Sequence, residues 1–213
     1  MPIQTTANPT ELAAINQILS SCGQAPVTAI DSSDDELTLP TNPDVAIAYN
    51  TLMQVSREVQ TEGWTFNKEY NKQYLRDEND EIELGESVLQ LRLNRTHLNN
   101  RNRDGIQRQG KLYDRVNHTY KWADDPYCDV VVQLEFIDIP TPIRNLIVAR
   151  ASVLTAQRIV GDPQLYQMLQ QQESYNRAFA LEYDTQQGQY HMYGHPEGQD
   201  YYNSYQPFHT LYR

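Results

Sequence analysis

Helical periodicity stops at Gly63 and does not return for about seventy residues. The stretch "VSREVQTEGWTFNKE" indicates the last turns of a helix, a glycine that ends it, and two aromatic residues, Trp64 and Phe66, that do not continue it. Polar, strand-like sequence then follows until helices resume near Pro140. The chain must therefore combine helices with a β-rich region. We expect Trp64 and Phe66 to be core residues that anchor this region onto the helices, with direct contact to a partner as the alternative.

Apolar residues at helical spacing predict four helices. Two precede Gly63, and the second of them begins with Asn42 as its N-cap and Pro43 in the first helical position. The third helix ends at Gly161, and the fourth begins immediately, at Asp162. A junction this short predicts a tight turn, so we expect the third and fourth helices to lie antiparallel.

The sequence thus predicts an α+β protein that is mainly α. We expect an antiparallel four-helix bundle with a β-rich insertion between helices two and three and an extended C-terminal tail. Within the insertion, "ESVLQLRLN" and "CDVVVQLEFIDIP" carry the patterns of strands. The expected domains are residues 1–63 for helices one and two, 64–137 for the insertion, 138–184 for helices three and four, and 185–213 for the tail.

The C-terminal tail is rich in aromatic residues and lacks periodicity. Such a segment cannot bury enough apolar surface by itself to offset the entropy lost when it orders. Aromatic side chains are, however, the types that anchor protein interfaces. We therefore expect the tail to become ordered on assembly through the aromatic residues Tyr190, Tyr193, Tyr201, Tyr202, Tyr205, Phe208 and Tyr212.

Charge is distributed unevenly along the chain. The formal net charge of −11 argues against a sequence-specific nucleic-acid-binding protein, because affinity for phosphate needs a basic face. One region is basic, nevertheless, and we call it the basic stripe. It can be a solvated or inter-subunit face of a sheet, or a surface that faces DNA phosphates. Its members are Arg92, Arg95, Arg101, Arg103, Arg108, Lys111, Arg115 and Lys121.

No motif for catalysis, metal binding or cofactor binding is present in the sequence. The two cysteines, Cys22 and Cys128, match no metal or redox motif, and nothing supports a disulfide between them. The acidic segment from Asp77 to Glu86 raises the alternative of an enzyme that cleaves glycans with a pair of carboxyl groups. A solvated hairpin is the simpler interpretation of so dense a group of acids. We expect no enzyme, no cofactor, no signal peptide and no membrane span.

The order of several sequence blocks resembles that of the tail tubular protein A family, the head-to-tail adaptors of short-tailed podophages. The blocks are "ELAAINQILSSCGQAPV", "VQTEGWTFN", "GKLYDRVNHTY" and "FIDIPTPIRNLIVARAS", followed by "QRIVGDPQLYQMLQQQESYNRAFALEYD". They span most of the chain, and the Gly-Trp-Thr-Phe-Asn stretch and the Arg-Ile-Val-Gly-Asp-Pro junction are the more specific of them. The acidic loop before Ser87 and the tail rich in Tyr and Gln depart from the family pattern.

The resemblance implies a structural virion protein, assembled in the host cytoplasm, without a catalytic site. It implies a dodecameric ring that connects the capsid portal to the tail nozzle (tail tubular protein B), with tail fibres attached nearby. Such a ring lines the channel for DNA ejection, and the genome passes through it without sequence-specific binding. The alternatives from other classes are the glycan-degrading tail enzyme and a DNA-binding module that uses the basic stripe.

Overall fold

The computed structural model describes residues 9–28, 42–94, 100 and 103–188. Helices α1 (Pro9–Ser21) and α2 (Pro43–Thr61) precede five strands: β1 (Lys68–Gln73), β2 (Val88–Leu93), β3 (Gly105–Arg108), β4 (Lys111–Asp114) and β5 (Tyr127–Val132). Helices α3 (Thr141–Ile159) and α4 (Pro163–Gly188) follow the strands, and short 3-10 helices cover Thr65–Asn67 and Phe136–Asp138.

The chain divides into two compact units. The first, which we call the helical unit, contains the described residues within Met1–Val59 and Glu135–Tyr183. The second, the sheet unit, contains those within Gln60–Leu134 and Asp184–Arg213. Each unit has its own buried apolar side chains, so the core of the protein is not a single cluster.

In the helical unit, close backbone contact between helices is concentrated in the pair α1 and α3. The side chain of Arg158 on α3 donates to Thr51 Oγ1 on α2, with a distance of 2.7 Å. The start of α4 packs on the cluster formed by Cys22, Val153 and Ala156. Arg150 on α3 forms an ion pair with Glu173 on α4 at 3.6 Å, and this pairing across the Gly161 turn agrees with the predicted antiparallel course.

The described part of the sheet unit contains two separate antiparallel sheets. In the larger sheet β5 lies between β1 and β2, and in the smaller one β3 pairs with β4. Val-rich β5 is central because it can bury side chains on both faces. The core of this unit is formed by Ile82, Leu84, Leu93, Leu112, Trp122, Cys128 and Val130.

The α+β class is as expected, but the predicted antiparallel four-helix bundle with a β-rich insertion is wrong. The described residues instead form four helices and two antiparallel sheets, with close helix packing mainly between α1 and α3. The reason lies in α4, where most side chains beyond Leu169 are exposed and Ala180 is an exception. A helix that lacks a wide apolar stripe has little to bury in a bundle. Helix α4 also continues to Gly188, so the first four residues of the predicted tail are helical.

Candidate interaction surfaces

The Gly-Trp-Thr-Phe-Asn stretch forms a compact turn held by one buried amide. Gly63 has a φ of +74°, a conformation that glycine adopts without strain, and it ends the helical run. Asn67 Oδ1 accepts a hydrogen bond from the Trp64 N–H at 2.9 Å. Asn67 Nδ2 donates to the carbonyl oxygens of Gln60 and Val132 at 2.8 and 3.2 Å. The side chain of Asn67 therefore joins the end of α2 to the end of β5.

A second buried side-chain amide, that of Gln60, forms hydrogen bonds in the same part of the sheet unit. Gln60 is fully buried, and its Oε1 accepts from the Leu134 N–H at 2.7 Å. Its Nε2 donates to the Leu134 carbonyl oxygen at 3.2 Å. Gln60 and Leu134 are the residues at which the chain enters and leaves the strand-bearing part of the sheet unit. We call Gln60, Asn67 and the groups they bind the amide latch.

The C-terminal end of α4 contacts the turn formed by the Gly-Trp-Thr-Phe-Asn stretch. The Asp184 carboxylate accepts a hydrogen bond from the Thr65 N–H at 2.7 Å. A carboxylate that receives a backbone N–H in this way satisfies a donor at the start of a short helix. The contact fixes the point at which the chain continues toward the residues beyond Gly188.

The two aromatic residues of this turn differ in burial. Trp64 is 3 % exposed, whereas Phe66 is half-buried. Their role as anchors onto the helices stays a prediction. Sequence reasoning missed Gln60 and Asn67, because their partners are distant in sequence and no local pattern marks an amide that bridges them.

The described members of the basic stripe mostly have partners within the chain. Lys111 forms an ion pair with Glu81, and Arg115 forms one with Asp104. The hydrogen bond that the Lys111 ammonium donates to the Glu81 carboxylate is the main reason that the pKa of Lys111 is raised above its usual value. The guanidinium of Arg103 lies 5.1 Å from the ring centre of Trp122.

Cation–π contact also holds a second arginine of the stripe. The guanidinium of Arg108 lies 4.2 Å from the ring centre of Tyr113, and Tyr113 meets Tyr120 edge-to-face at 4.9 Å. Arg92 and Lys121 are exposed, and Arg95 and Arg101 lie outside the described residues. The stripe is therefore partly neutralised by its own chain and is not a uniform row of unpaired cations.

The acidic segment is a structured turn and not a cluster of buried acids. Asp77 Oδ1 accepts from the backbone N–H groups of Asn79 and Glu81 at 2.8 and 2.7 Å. These hydrogen bonds, that from Glu81 foremost, lower the pKa of Asp77. Ile82 and Leu84 between the acids point into the core. A general acid for glycan cleavage needs a raised pKa, so the environment of Asp77 is the opposite of what the glycan-degrading enzyme would require.

One carboxylate of the sheet unit is fully buried. Asp114 closes a loop in which its Oδ1 accepts from the Val116 N–H at 2.9 Å and its Oδ2 accepts from Asn117 Nδ2 at 2.7 Å. Desolvation acts to raise its pKa, but the hydrogen bonds from Val116 and Asn117 outweigh that effect, and the pKa of Asp114 is lowered.

Asp114 should therefore make stability depend on acid pH. Because the folded-state pKa is lowered, the stabilisation is complete above the unfolded-state value of about 3.9 and is lost as pH falls through the folded-state value. We expect Asp114→Asn to lower the free energy of unfolding by about 2 kcal/mol at pH 7, and this difference should shrink as pH decreases below 4. Urea unfolding from pH 7 to pH 2.5 measures it. Asp124→Asn, at an exposed position, is the control, and a difference independent of pH would contradict the assignment.

Helix α4 carries an apolar face that the rest of the described chain leaves uncovered. Met168 is 70 % exposed, Tyr175 66 % and Phe179 49 %. The Tyr175 and Phe179 rings form an edge-to-face pair at 4.8 Å. Gln171, Gln172, Ser174 and Ala178 line a shallow depression with Met168 and Tyr175. We call this surface the outer face of α4. The predicted four-helix bundle gave no indication that these side chains would be exposed.

The described residues contain no candidate metal site, no disulfide and no helix that could span a membrane. No group of His, Cys, Asp and Glu side chains among them could hold a metal ion. Cys22 and Cys128 are free and buried, and burial raises the pKa of Cys128 to about 12. No described helix is long and apolar enough to cross a membrane. The aromatic anchors of the tail, from Tyr190 to Tyr212, lie outside the described residues.

The sequence model of one family, described as "Tail tubular protein", matches residues 12–190. The chain belongs to the tail tubular protein family. This match covers the helices, both sheets and the outer face of α4, and it confirms the resemblance at the level of the family. No curated protein matches the chain. A tail tubular protein is a structural component of a phage tail.

Proposed function

We propose that this tail tubular protein is the A-type adaptor, a ring-forming connector between the capsid portal and the tail nozzle. Tail fibres attach near the lower junction, and the genome passes through the centre of the ring during ejection. The observation that carries the proposal is the uncovered outer face of α4 in a chain of the tail tubular family. Apolar faces that stay exposed in a folded chain mark contacts with other proteins.

The net charge of the chain supports a channel through which DNA slides. Each copy has a formal charge of −11, so a ring of copies is strongly negative. Charges of the same sign repel phosphate within a Debye length of about 8–10 Å. The ion pairs of Lys111 and Arg115 reduce the number of free cations that would hold DNA.

The basic stripe and the tail have assembly roles in this proposal. The stripe lies at an interface with a neighbouring subunit or with the nozzle, where Arg103 and Arg108 present guanidinium groups supported by aromatic rings. The segment from 189 to 213 orders against the portal or the next subunit, with its tyrosines as anchors. Assembly takes place in the host cytoplasm.

Reconstitution with the virion partners tests the proposal. The full chain is mixed with purified portal and nozzle proteins, and complexes are isolated by size-exclusion chromatography and imaged by electron microscopy. We expect a complex in which a ring of this chain lies between portal and nozzle. Failure to bind either partner would contradict the adaptor role. Release of reducing ends from host polysaccharide, abolished by substitution of Asp77, would instead favour the glycan-degrading enzyme.

A further inference from the structure

The hairpin of β3 and β4 carries an arginine stacked on a tyrosine. In the register of this hairpin, Arg108 and Tyr113 lie on one face, and Leu112 and Asp114 lie on the opposite, buried face. The guanidinium of Arg108 is 4.2 Å from the ring centre of Tyr113. Arg108 is exposed and Tyr113 is half-buried, so the stacked pair lies at the surface of the sheet unit.

The loop closed by buried Asp114 brings a second tyrosine to this pair. The Asp114 N–H donates to the Thr119 carbonyl oxygen at 2.9 Å, and the Thr119 N–H donates back to the Asp114 carbonyl oxygen at 3.3 Å. The chain therefore returns to the end of β4 after residues 115–118. The next residue, Tyr120, meets Tyr113 edge-to-face with ring centres 4.9 Å apart. We call the resulting surface the Arg–Tyr patch, and its members are Arg108, Tyr113 and Tyr120.

The backbone next to Arg108 is held in place by a two-residue turn. Gln109 and Gly110 have φ angles of +54° and +73°, as in the type I′ turns that suit the twist of a hairpin. The Gly110 carbonyl oxygen also accepts a hydrogen bond from the Leu84 N–H at 2.7 Å. A partner that binds Arg108 therefore meets an ordered backbone and loses little affinity to ordering of the loop.

The charge of Arg108 is not neutralised within the described part of the chain. Lys111 and Arg115 form ion pairs with Glu81 and Asp104, whereas no described carboxylate forms an ion pair with Arg108. A guanidinium that stacks on a ring keeps its N–H groups in its own plane, where two of them can bind one carboxylate. Arg108 is thus suited to a carboxylate supplied by another molecule.

The local charge around the patch has the opposite sign to that of the whole chain. Residues 105–121 include four Lys or Arg and a single acid, the fully buried Asp114, whereas the chain has a formal charge of −11. An acidic group is therefore attracted to this surface although most of the protein repels it. Charge complementarity favours an acidic partner.

The surroundings of the patch favour a peptide segment over a nucleic acid. Glu81 and Glu83 lie beside Lys111 along β4 and border the hairpin with negative charge. Duplex DNA carries one charge for about every 1.7 Å of its axis, so it would bring phosphates close to these acids. A short acidic segment can place a carboxylate on Arg108 alone, and its apolar atoms can pack on the Tyr113 and Tyr120 rings.

We propose that the Arg–Tyr patch is the docking site for a short acidic peptide segment of a protein partner. A carboxylate of the segment receives two N–H groups of Arg108, and the two tyrosine rings cover the adjacent part of the segment. The inference rests on the proposed function in one respect, since that function makes the partner a virion protein. It states which chemistry the basic stripe recognises there.

A binding measurement with defined peptides tests the patch by itself. Fluorescently labelled hexaglutamate is titrated with the full chain at low ionic strength, and anisotropy reports binding; labelled hexaglutamine and an oligothymidylate of six nucleotides are compared with it. The variants are Arg108→Gln and the conservative Arg108→Lys. Arg57→Gln removes the same charge from an exposed position of the helical unit and is the matched control. Circular dichroism checks that all variants stay folded.

We expect the wild type to bind hexaglutamate more tightly than hexaglutamine, and Arg108→Gln to lower the affinity for hexaglutamate at least about tenfold. Arg108→Lys should lower it about threefold or more, because an ammonium keeps the charge but cannot bind a carboxylate in the paired geometry. Arg57→Gln should bind as the wild type does. Equal affinities of Arg108→Gln and the wild type would overturn the inference. Tighter binding of the oligothymidylate than of hexaglutamate would also overturn it and assign the patch to a nucleic acid.

The same variants, mixed with purified portal and nozzle proteins, test the role of the patch in assembly. We expect Arg108→Gln to weaken binding to one of these proteins at least about tenfold, with Arg57→Gln unchanged. Undiminished binding of Arg108→Gln to both would overturn the inference and leave the proposed function intact. Loss of self-association alone in Arg108→Gln would overturn it by assigning the patch to a contact between copies. A wild-type chain that binds hexaglutamate through Arg108 but neither protein would contradict the proposed function and support the patch.

Discussion

Replacing Asn67 with alanine is expected to lower the free energy of unfolding of the sheet unit by about 3–5 kcal/mol. Asn67 is 2 % exposed, and its side chain makes three hydrogen bonds to backbone groups of Trp64, Gln60 and Val132. Alanine removes all three at once. It leaves one N–H and two carbonyl groups without this partner, each at a cost of about 1–3 kcal/mol where water cannot replace it.

The measurement is urea unfolding followed by tryptophan fluorescence. Both tryptophans, Trp64 and Trp122, belong to the sheet unit, so their emission reports on that unit. Gln90→Ala is the matched control, because Gln90 also donates from a side-chain amide to a backbone carbonyl, that of Thr61, at 2.7 Å, but it is exposed. We expect the control to lose less than about 1 kcal/mol. Equal losses in the two variants would show that the amide latch has no special role.

Replacing Trp122 with alanine is expected to cost about 3–5 kcal/mol by emptying the core of the sheet unit. Trp122 is 2 % exposed and packs in the cluster that contains Leu84, Leu93 and Leu112. Its indole N–H donates to the Leu112 carbonyl oxygen at 2.9 Å. The substitution therefore creates a cavity and removes the partner of a buried carbonyl.

Trp122→Phe separates the two contributions. Phenylalanine keeps most of the apolar volume but cannot donate to Leu112, so we expect a loss of about 1–2 kcal/mol from the hydrogen bond and the smaller ring. Thermal unfolding monitored by circular dichroism measures both variants, because Trp122→Ala removes one of the two fluorescent probes. A Trp122→Ala variant as stable as the wild type would contradict the assignment of Trp122 to the core.

Local sequence signals predicted the elements well where neighbouring residues decide the structure. Asn42 Oδ1 accepts from the Asp44 N–H at 3.0 Å and caps α2 as expected. Asp162 Oδ1 likewise accepts from the Gln164 N–H at 2.9 Å at the start of α4, and Gly161 before it has a φ of +69°. The apolar, β-branched run around Val130 forms β5, the central strand of the larger sheet.

Contacts between residues that are distant in the sequence could not be predicted, and the reason is physical. Whether α4 joins a bundle depends on how much surface its partners offer, and its Gln-rich sequence gives no sign of which side is buried. The amide latch links residues 65 and 74 positions apart, Asn67 with Val132 and Gln60 with Leu134. Any Asn or Gln could make such hydrogen bonds, so only the folded chain identifies these two.

The candidate surfaces likewise combine features that are visible in the sequence with features that depend on the fold. The basic stripe was visible as a run of Lys and Arg, but the ion pair of Lys111 with Glu81 depends on the acidic segment lying beside β4. The exposure of Tyr175 and Phe179 was not visible, because aromatic residues at helical spacing are equally typical of a core. Membership of the tail tubular family, by contrast, was recognisable from the order of sequence blocks alone.

We propose that this chain functions as a ring of copies joined to virion partners. Electron microscopy of the full chain bound to portal protein tests it most directly, through end-on views of the complex. We expect a closed ring of this chain with a central hole that continues the portal channel. Single compact particles at every concentration, with no density for this chain on the portal, would contradict it.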